Sequence, residues 1–588
     1  MRWRLRRQQK PSVLLLDEVS SSRRHKNGSA MTRPIELLRQ GRKEELWQMC
    51  CGFIDLSLEQ VMAIQKRLLL EQIELLRNCE LGRKVMRGAN PTTVEEFREQ
   101  VPLTTYSDYL PELVERRGDV LPARVARWVR TSGTSEKPYV KWVPLSVGFV
   151  HEMEKVQVAE IIFSGCNSKG DLSGIKEHLK VLHTSGPPEY GTGFLANVTK
   201  QAINCDFLPS QGEGLPFEQC IKLGFEEALY RGLDGFAGLA SPLVYAGEQI
   251  KRRAENISIR FLLAHPGALF RVTKGLVKSK LARRPLLPKD LWTVRGIICG
   301  GSDSAIFKQR VEELWGRRPL EHYASCEGDL CALQTWDYDG MTFTPTLNFF
   351  EFIPEREWFK WQLDHSYQPK TILLDEVKAG ENYELVLTNF HGGAFVRYRI
   401  GDIIRITSLR NERLNINIPQ MVFYSRADDR IDISGFGRLT EKLIWEAIEG
   451  SGIPYKDWTA RKEAIGDGAI LHLYLELEDN YVASEEAVAT TIYGELRKLD
   501  SVYHYNQYGA YGAPETMLGL KPIKVTFLPQ GAFARYISQR QTEGADLGTI
   551  KPPHINPSDK VLSLLGAPKV VVEAVLVTEV ERTTAQRY

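Results

Sequence analysis

From about Lys43 to Lys84 apolar positions recur at three- and four-residue spacing. The stretch EELWQMCCGFIDLSLEQVMAIQKRLLLEQIELLRN within it predicts amphipathic helix. A second helix is expected over Val94 to Gln100, and YSDYLPELVERR predicts a third with Ser107 as its cap. Beyond this opening the pattern alternates. Short apolar runs at Leu179 to Leu182, Ile297 to Cys299, Glu384 to Leu387 and Ile403 to Ile406 lie between helical stretches. Alternation of that kind predicts α/β architecture, with sheets covered by helices. The character changes again from Ser425 to Gly450, where a charged, irregular piece leads to Thr440, a suitable cap for a helix beginning at Glu441. AILHLYLELE then alternates like a strand, a helix is expected over Ser484 to Leu499, and IKVTFLP supplies a further strand. The expected organisation is a basic tail over 1–40, a large domain over 41–424 and a smaller α+β domain over 425–588, joined by a hinge at 426–430.

Composition narrows the function classes. At 588 residues the chain exceeds one ordinary core. A formal net charge of +2 gives no whole-chain argument for nucleic acid or an anionic membrane, and nucleic acid is not expected as a partner. No apolar run approaches the roughly 18 residues of a membrane span. The nine cysteines are scattered with no C-x-x-C pair, which is neither a disulfide framework nor a zinc pattern. A reducing compartment follows, and a cytoplasmic monomer is expected. The first 30 residues, with MRWRLRRQQK and SSRRHK, are strongly basic, but Val13 to Leu16 is too short for a signal-peptide core. A disordered tail without a functional role is expected there.

Candidate chemistry begins at TSGTSEKPYVKWVPLS. Small hydroxyl residues around a glycine make poor helix and poor strand, because their side chains compete for backbone hydrogen bonds. Thr131 to Ser135 instead suit a turn whose clustered N–H and O–H groups bind an anion. Two decoys fall away. GTGFLA, Gly191 to Ala196, follows SGPPEY rather than a strand and is expected to be a loop, not a dinucleotide site. HGGA, His391 to Ala394, has no accompanying G-x-S-x-G elbow, so a hydrolase is rejected. There is also no G-x-x-x-x-G-K-[ST] loop.

Three further stretches follow the hydroxyl cluster in order. They are IICGGSDSAIFKQRVEELWGRRPLEHYASCEGDL, then FVRYRIGDIIRI, then GADLGTIKPPHI. With VPLTTYSDYLPELVERRGDVLP, TPTLNFFEFIP and YELVLTNFHGGAFVRYRIGD, they make the chain resemble the auxin-responsive acyl acid–amido synthetase family of the adenylate-forming superfamily. The likeness runs from about residue 45 to 555. It implies a large adenylate-forming N-terminal domain with several sheets covered by helices, and a smaller mobile α+β C-terminal domain. The family couples a carboxylic acid to ATP, giving an acyl-AMP and pyrophosphate, and an amine then takes the acyl group.

The resemblance also implies roles. Ser132, Gly133, Thr134 and Ser135 would form the phosphate loop, with Lys137 adding charge. Glu327 would hold Mg2+, which takes hard oxygen ligands. Tyr323 would lie against the adenine over a floor of Gly300 and Gly301. Asp402 would accept from the ribose hydroxyls, and Arg426 would reach the ribose or phosphate. Lys551, ahead of two prolines, would be the mobile catalytic cation, with Asp428 near the pivot of the small domain. Departures bear on the acceptor and on turnover. Glu136 stands where a second loop glycine is common, Cys326 replaces a common serine, and RADDRI is closer to general acyl-activating relatives. Partners are therefore a small carboxylic acid and an amine or thiol acceptor. An acid–thiol ligase using coenzyme A is the alternative function, and a non-catalytic binding relative the third reading.

Overall fold

The structure is a computed structural model that describes residues 32–131, 140–183, 189–211, 217–238, 240–253, 259–300, 304–364, 366–426, 430–433, 437–465, 468–478, 481–503, 523–542 and 554–568. Of the expected basic tail over 1–40, residues 1–31 lie outside them, whereas Pro34–Arg39 is a helix with Ile35 and Leu37 buried, and Arg33 pairs with Glu154 at 2.6 Å. The described residues before 429 form one compact unit and those after it a second.

In the first unit, β1 (Val125–Arg130) and β2 (Trp142–Ser146) pair as an antiparallel ribbon. The remaining strands are β3 (Lys180–His183), β4 (Asp206–Leu208), β5 (Gly235–Gly238), β6 (Gly296–Cys299), β7 (Leu320–Ser325), β8 (Asp329–Leu333), β9 (Met341–Phe343), β10 (Asn348–Pro354), β11 (Asn382–Asn389), β12 (Tyr398–Ser408) and β13 (Gln420–Arg426). They form one eleven-stranded sheet in the order β10-β11-β12-β13-β9-β8-β7-β6-β5-β3-β4. From β4 to β7 neighbouring strands are parallel, and from β7 to β10 they are antiparallel. The sheet therefore changes character at β7, and the C-terminal ends of its parallel strands are where α/β folds place ligands.

Helices cover the sheet as the alternating pattern predicts. Three of the four short apolar runs fall within β6, β11 and β12, and the first, Leu179 to Leu182, overlaps β3 from Lys180 on. Helix Val147–Gly165 packs against β6 and β8, and helix Phe217–Arg231 against β3 and β4. Helix Leu58–Arg77 is capped by Ser57, whose Oγ accepts from Gln60 N at 3.2 Å. It lies on β10, where buried Gln65 donates to the carbonyls of Pro345 and Asn348.

Three local expectations are corrected. The stretch from Lys43 to Lys84 is not continuous, because Gly52–Asp55 tightens into 3-10 turn and Ser57 restarts the helix. YSDYLPELVERR is helical only over the 3-10 turn Tyr106–Tyr109. Pro111 disfavours helical backbone at Leu110, and the cap is Thr105, whose N–H donates to Asp108 Oδ2 at 2.8 Å. GTGFLA is no loop; it opens helix Gly191–Ile203.

In the second unit, β14 (Arg430–Ile433) and β15 (Gly437–Thr440) form a hairpin. Helix Glu441–Gly450 follows, then antiparallel β16 (Tyr455–Ile465) and β17 (Gly468–Leu477), with β18 (Ile523–Phe527) parallel to β17. Helices Glu485–Tyr503 and Ala532–Thr542 complete an α+β body.

Candidate active site

Period two along β12 decides where its acid points. Tyr398, Ile400, Asp402, Ile404 and Ile406 are buried, while Arg399, Ile403 and Arg405 between them are half-buried. Register with β11 slips between the pairs Glu384–Ile403 and Val386–Arg399, leaving extra residues on β12. Gly401 sits in that bulge at φ +79°, a conformation that suits glycine. The carboxylate of Asp402 is thereby turned inward, where Tyr323 Oη donates to its Oδ2 at 2.7 Å. The Tyr323 ring stacks on Phe423 of β13 with centroids 6.3 Å apart. Across that strand pair, Arg426 is the Cα partner of Asp402.

Glu327 lies in the turn from β7 to β8, buried, with Tyr398 Oη donating to its Oε1 at 3.3 Å. Two asparagines hold the turn. Asn389 of β11 donates to the Glu327 carbonyl at 2.8 Å, and Asn348 of β10 donates to the Gly328 carbonyl at 2.7 Å. They face each other in register and are themselves bonded at 2.8 Å. Burial pushes the thiol of Cys331 well up, and the charges of Asp329, Asp402 and Glu327 add to it.

A polar chain lies behind β7. His322 Nδ1 is bonded to Glu160, and burial pushes the Asp329 carboxyl up to about 7. Burial works against the His322 imidazolium, but Glu160 prevails and its pKa is raised. A Cβ on Gly300 would come within 2.6 Å of His322 Nε2, so only glycine fits the end of β6 without displacing the imidazole. Cys326 packs beside the end of β1. Its Sγ lies 3.9 Å from the Arg130 carbonyl, and Thr131 N donates to the Lys141 carbonyl at 3.2 Å across the ends of the stretch between β1 and β2.

Of the residues singled out from sequence, Tyr323, Glu327 and Asp402 are buried together, linked through Tyr398 and the β12 register, and Gly300 closes the neighbouring strand. Ser132, Gly133, Thr134, Ser135, Glu136, Lys137, Gly301, Asp428 and Lys551 lie outside the described residues, as does the side chain of Arg426. Asn348, Asn389, Tyr398, His322 and Glu160 were not singled out. The asparagines stand inside TPTLNFFEFIP and YELVLTNFHGG, so those phrases carried a positional signal but no chemical one. Two arginines of FVRYRIGD prove structural. Arg397 is buried and paired twice with Glu351, at 3.0 and 2.8 Å, and Arg399 is paired twice with Glu384. Arg271, in the stretch before β6, spends its guanidinium on the carbonyls of Leu229, Tyr230 and Gly267.

Among the described residues no three His, Cys, Asp or Glu side chains form a metal cluster. Magnesium that leans on phosphate oxygens needs only one or two carboxylates, and Glu327 with its acidic surroundings fits that demand.

The GH3 family N-terminal domain matches residues 50–189 and the GH3 family central domain matches residues 341–426. The 4-substituted benzoates-glutamate ligase GH3.12 of Arabidopsis thaliana is 28% identical over 242 residues, 38% of this chain and 38% of that protein. The jasmonoyl--L-amino acid synthetase JAR4 of Nicotiana attenuata is 33% identical over 149 residues, 24% of this chain and 23% of its own length. The chain thus spans well under half the length of the curated relatives it matches. The solved AtGH3.15 acyl acid amido synthetase in complex with 2,4-DB aligns over 88% of this chain and 95% of that one, at TM-score 0.49 and 17% identity. Between them, the two domain matches cover the hydroxyl-rich loop and the strand that bears Asp402, and it is in these two stretches that the chain is similar to the GH3 family.

Proposed function

We propose that the chain is an ATP-dependent ligase that activates a small carboxylic acid as its acyl-adenylate and passes the acyl group to an amino acid or other amine. A carboxylate oxygen attacks the α-phosphorus of ATP and pyrophosphate leaves; the amine then attacks the acyl carbon and AMP leaves. Two anions must be brought together in the first step, so alignment and charge neutralisation are the catalytic work. The observation that supports this reading most is the convergence of Tyr323, Asp402 and Glu327 on the sheet of a GH3-domain chain. Tyr323 holds the Asp402 carboxylate, which is assigned the ribose hydroxyls. The asparagine-held turn presents Glu327, assigned to magnesium, which when bound would neutralise phosphate charge. Thr134 and its neighbours are assigned the phosphates, and Lys551, from the stretch after residue 428, the α-phosphate and the acid.

The named relatives that act on acids and amino acids favour an amine as acceptor. No helix among the described residues is long and apolar enough to cross a membrane, and all nine thiols are free. The free thiols accord with work in a reducing compartment. The test is pyrophosphate release from ATP over a panel of acids, first alone and then with amino acids or coenzyme A. Acid-dependent release with an amino acid as obligatory second substrate is expected. Coenzyme A as the required acceptor would transfer the chain to the thiol ligases, and no acid-dependent release would leave it a non-catalytic relative.

A further inference from the structure

Helices Ile259–Ala264 and Pro266–Leu281 reverse the usual arrangement of a surface helix. The inward side of the longer one carries small or short residues, Ala268, Val272, Gly275 and Ser279. It packs so closely that a Cβ on Gly275 would lie 2.9 Å from Leu286 and Leu291. The bulky apolar residues face out: Ile259 is 73% exposed, Leu263 70%, Phe270 68%, Val277 54% and Leu281 80%. Phe270, Val277 and Leu281 share one helix face, opposite the buried one. Exposed aliphatic and aromatic side chains gathered in this way mark an interaction site rather than ordinary scatter.

Charge says what the site meets. Between Glu255 and Asp290 the chain has eight lysines and arginines and no acidic residue. Arg271 and Arg284 are turned inward, to main-chain carbonyls and to Asp290. Lys274, Lys278, Lys280 and Arg283, however, are exposed beside the apolar stripe. A basic rim around a protruding apolar face matches the headgroup and acyl boundary of an anionic bilayer, where apolar side chains insert and cations meet lipid phosphate or carboxylate. The whole-chain charge of +2 conceals this segment because acidic residues elsewhere cancel it.

We propose that this helix pair docks the protein on anionic lipid surfaces, lying in the interface without spanning it. The inference does not depend on the ligase reading. It is tested by co-sedimenting the full chain with phosphatidylcholine vesicles, with and without phosphatidylserine, at low and high salt. Binding only to the phosphatidylserine vesicles, released by salt, is expected. Joint substitution K274E, K278E and K280E, or F270S with L281S, should lower partitioning by more than about tenfold. Circular dichroism checks that these variants fold. F270W, which keeps the bulk, supplies a second measurement, with tryptophan emission shifting to the blue and quenched by brominated lipid. Recovery of the wild type in the supernatant with both vesicle types, or unchanged binding by the charge-reversed chain, would overturn the proposal. So would a dimer in light scattering that F270S with L281S dissolves, since that would give the face to a second copy of the chain.

Discussion

The phenol of Tyr323 donates a 2.7 Å hydrogen bond to the carboxylate of Asp402, joining β7 to β12 across the intervening strands of the sheet. One end of the bond comes from a strand on the parallel side and the other from a bulged antiparallel strand. Their meeting orients the acid assigned to ribose. A hydrogen bond to a charged group is worth about 1.5–3 kcal/mol. Asp402→Ala is expected to raise the apparent ATP constant on the order of tenfold or more, with a smaller loss of turnover. Tyr323→Phe should move the same constant less. Steady-state kinetics decide the matter, and a fall confined to turnover would contradict the ribose role.

Glu327→Gln keeps the size of the side chain and its bond from Tyr398 but removes the negative charge. Pyrophosphate release by this variant should need severalfold more magnesium for half-maximal rate. Titration of the rate with magnesium checks it, and an unchanged midpoint removes Glu327 as the ligand.

Lys551→Ala is expected to slow adenylate formation far more than it weakens ATP binding, because a cation at the α-phosphate acts chiefly as charge moves in the transition state. Acid-dependent pyrophosphate exchange, read beside nucleotide binding, separates the two. An unchanged exchange rate excludes the lysine from the chemistry.

Asp329 and His322 give the first unit a pH signature. Asp329 is raised from 3.8 to about 7, chiefly by burial, so the folded chain keeps a proton that the unfolded chain releases between those values. Stability therefore falls as pH rises through that window. His322 is also raised, from 6.5, so the stability it adds is present below 6.5 and is lost as pH climbs through its folded value. Both effects have one sign, and denaturant unfolding should show a more stable protein at about pH 6 than at about pH 8. Asp329→Asn should shrink that difference. A pH-independent midpoint in the wild type would exclude the effect.

Glu351 and Arg397 form a buried, doubly bonded pair, and the arginine also donates to the carbonyls of Arg98 and Val101. Removing one partner strands a buried charge. Glu351→Ala is expected to cost about 3–5 kcal/mol, read as a lower urea midpoint. A shift within error would show that water or another acid replaces it.

Periodicity and motif spacing carried much of this protein in one dimension. Three of the four apolar runs lie within strands and the fourth overlaps β3, and the α+β character of the second unit follows from alternation in AILHLYLELE and IKVTFLP, because burial of one strand face imposes a two-residue rhythm wherever the strand lies. The hydroxyl-rich loop, YASCE and YRIGD stood out through their order along the chain and the family resemblance, and of them the structure describes Tyr323, Glu327 and Asp402 as buried side chains. Proline chemistry at Leu110–Pro111 was present in the letters, yet the helical pattern outweighed it.

Contacts between distant residues were not legible. Asn348 and Asn389 look like ordinary strand polar residues until the β10–β11 register sets them opposite each other under the Glu327 turn. Arg397 and Arg399 stand in FVRYRIGD beside the assigned Asp402, but nothing in that stretch shows that Glu351 and Glu384, distant along the chain, claim their charges. The outward face of helix Pro266–Leu281 is the same case, for its periodicity shows that an apolar stripe exists but not that small residues take the buried side. Local pattern follows from each residue's own tie to backbone and solvent, whereas partner choice depends on which strands become neighbours, and only the packed chain decides that.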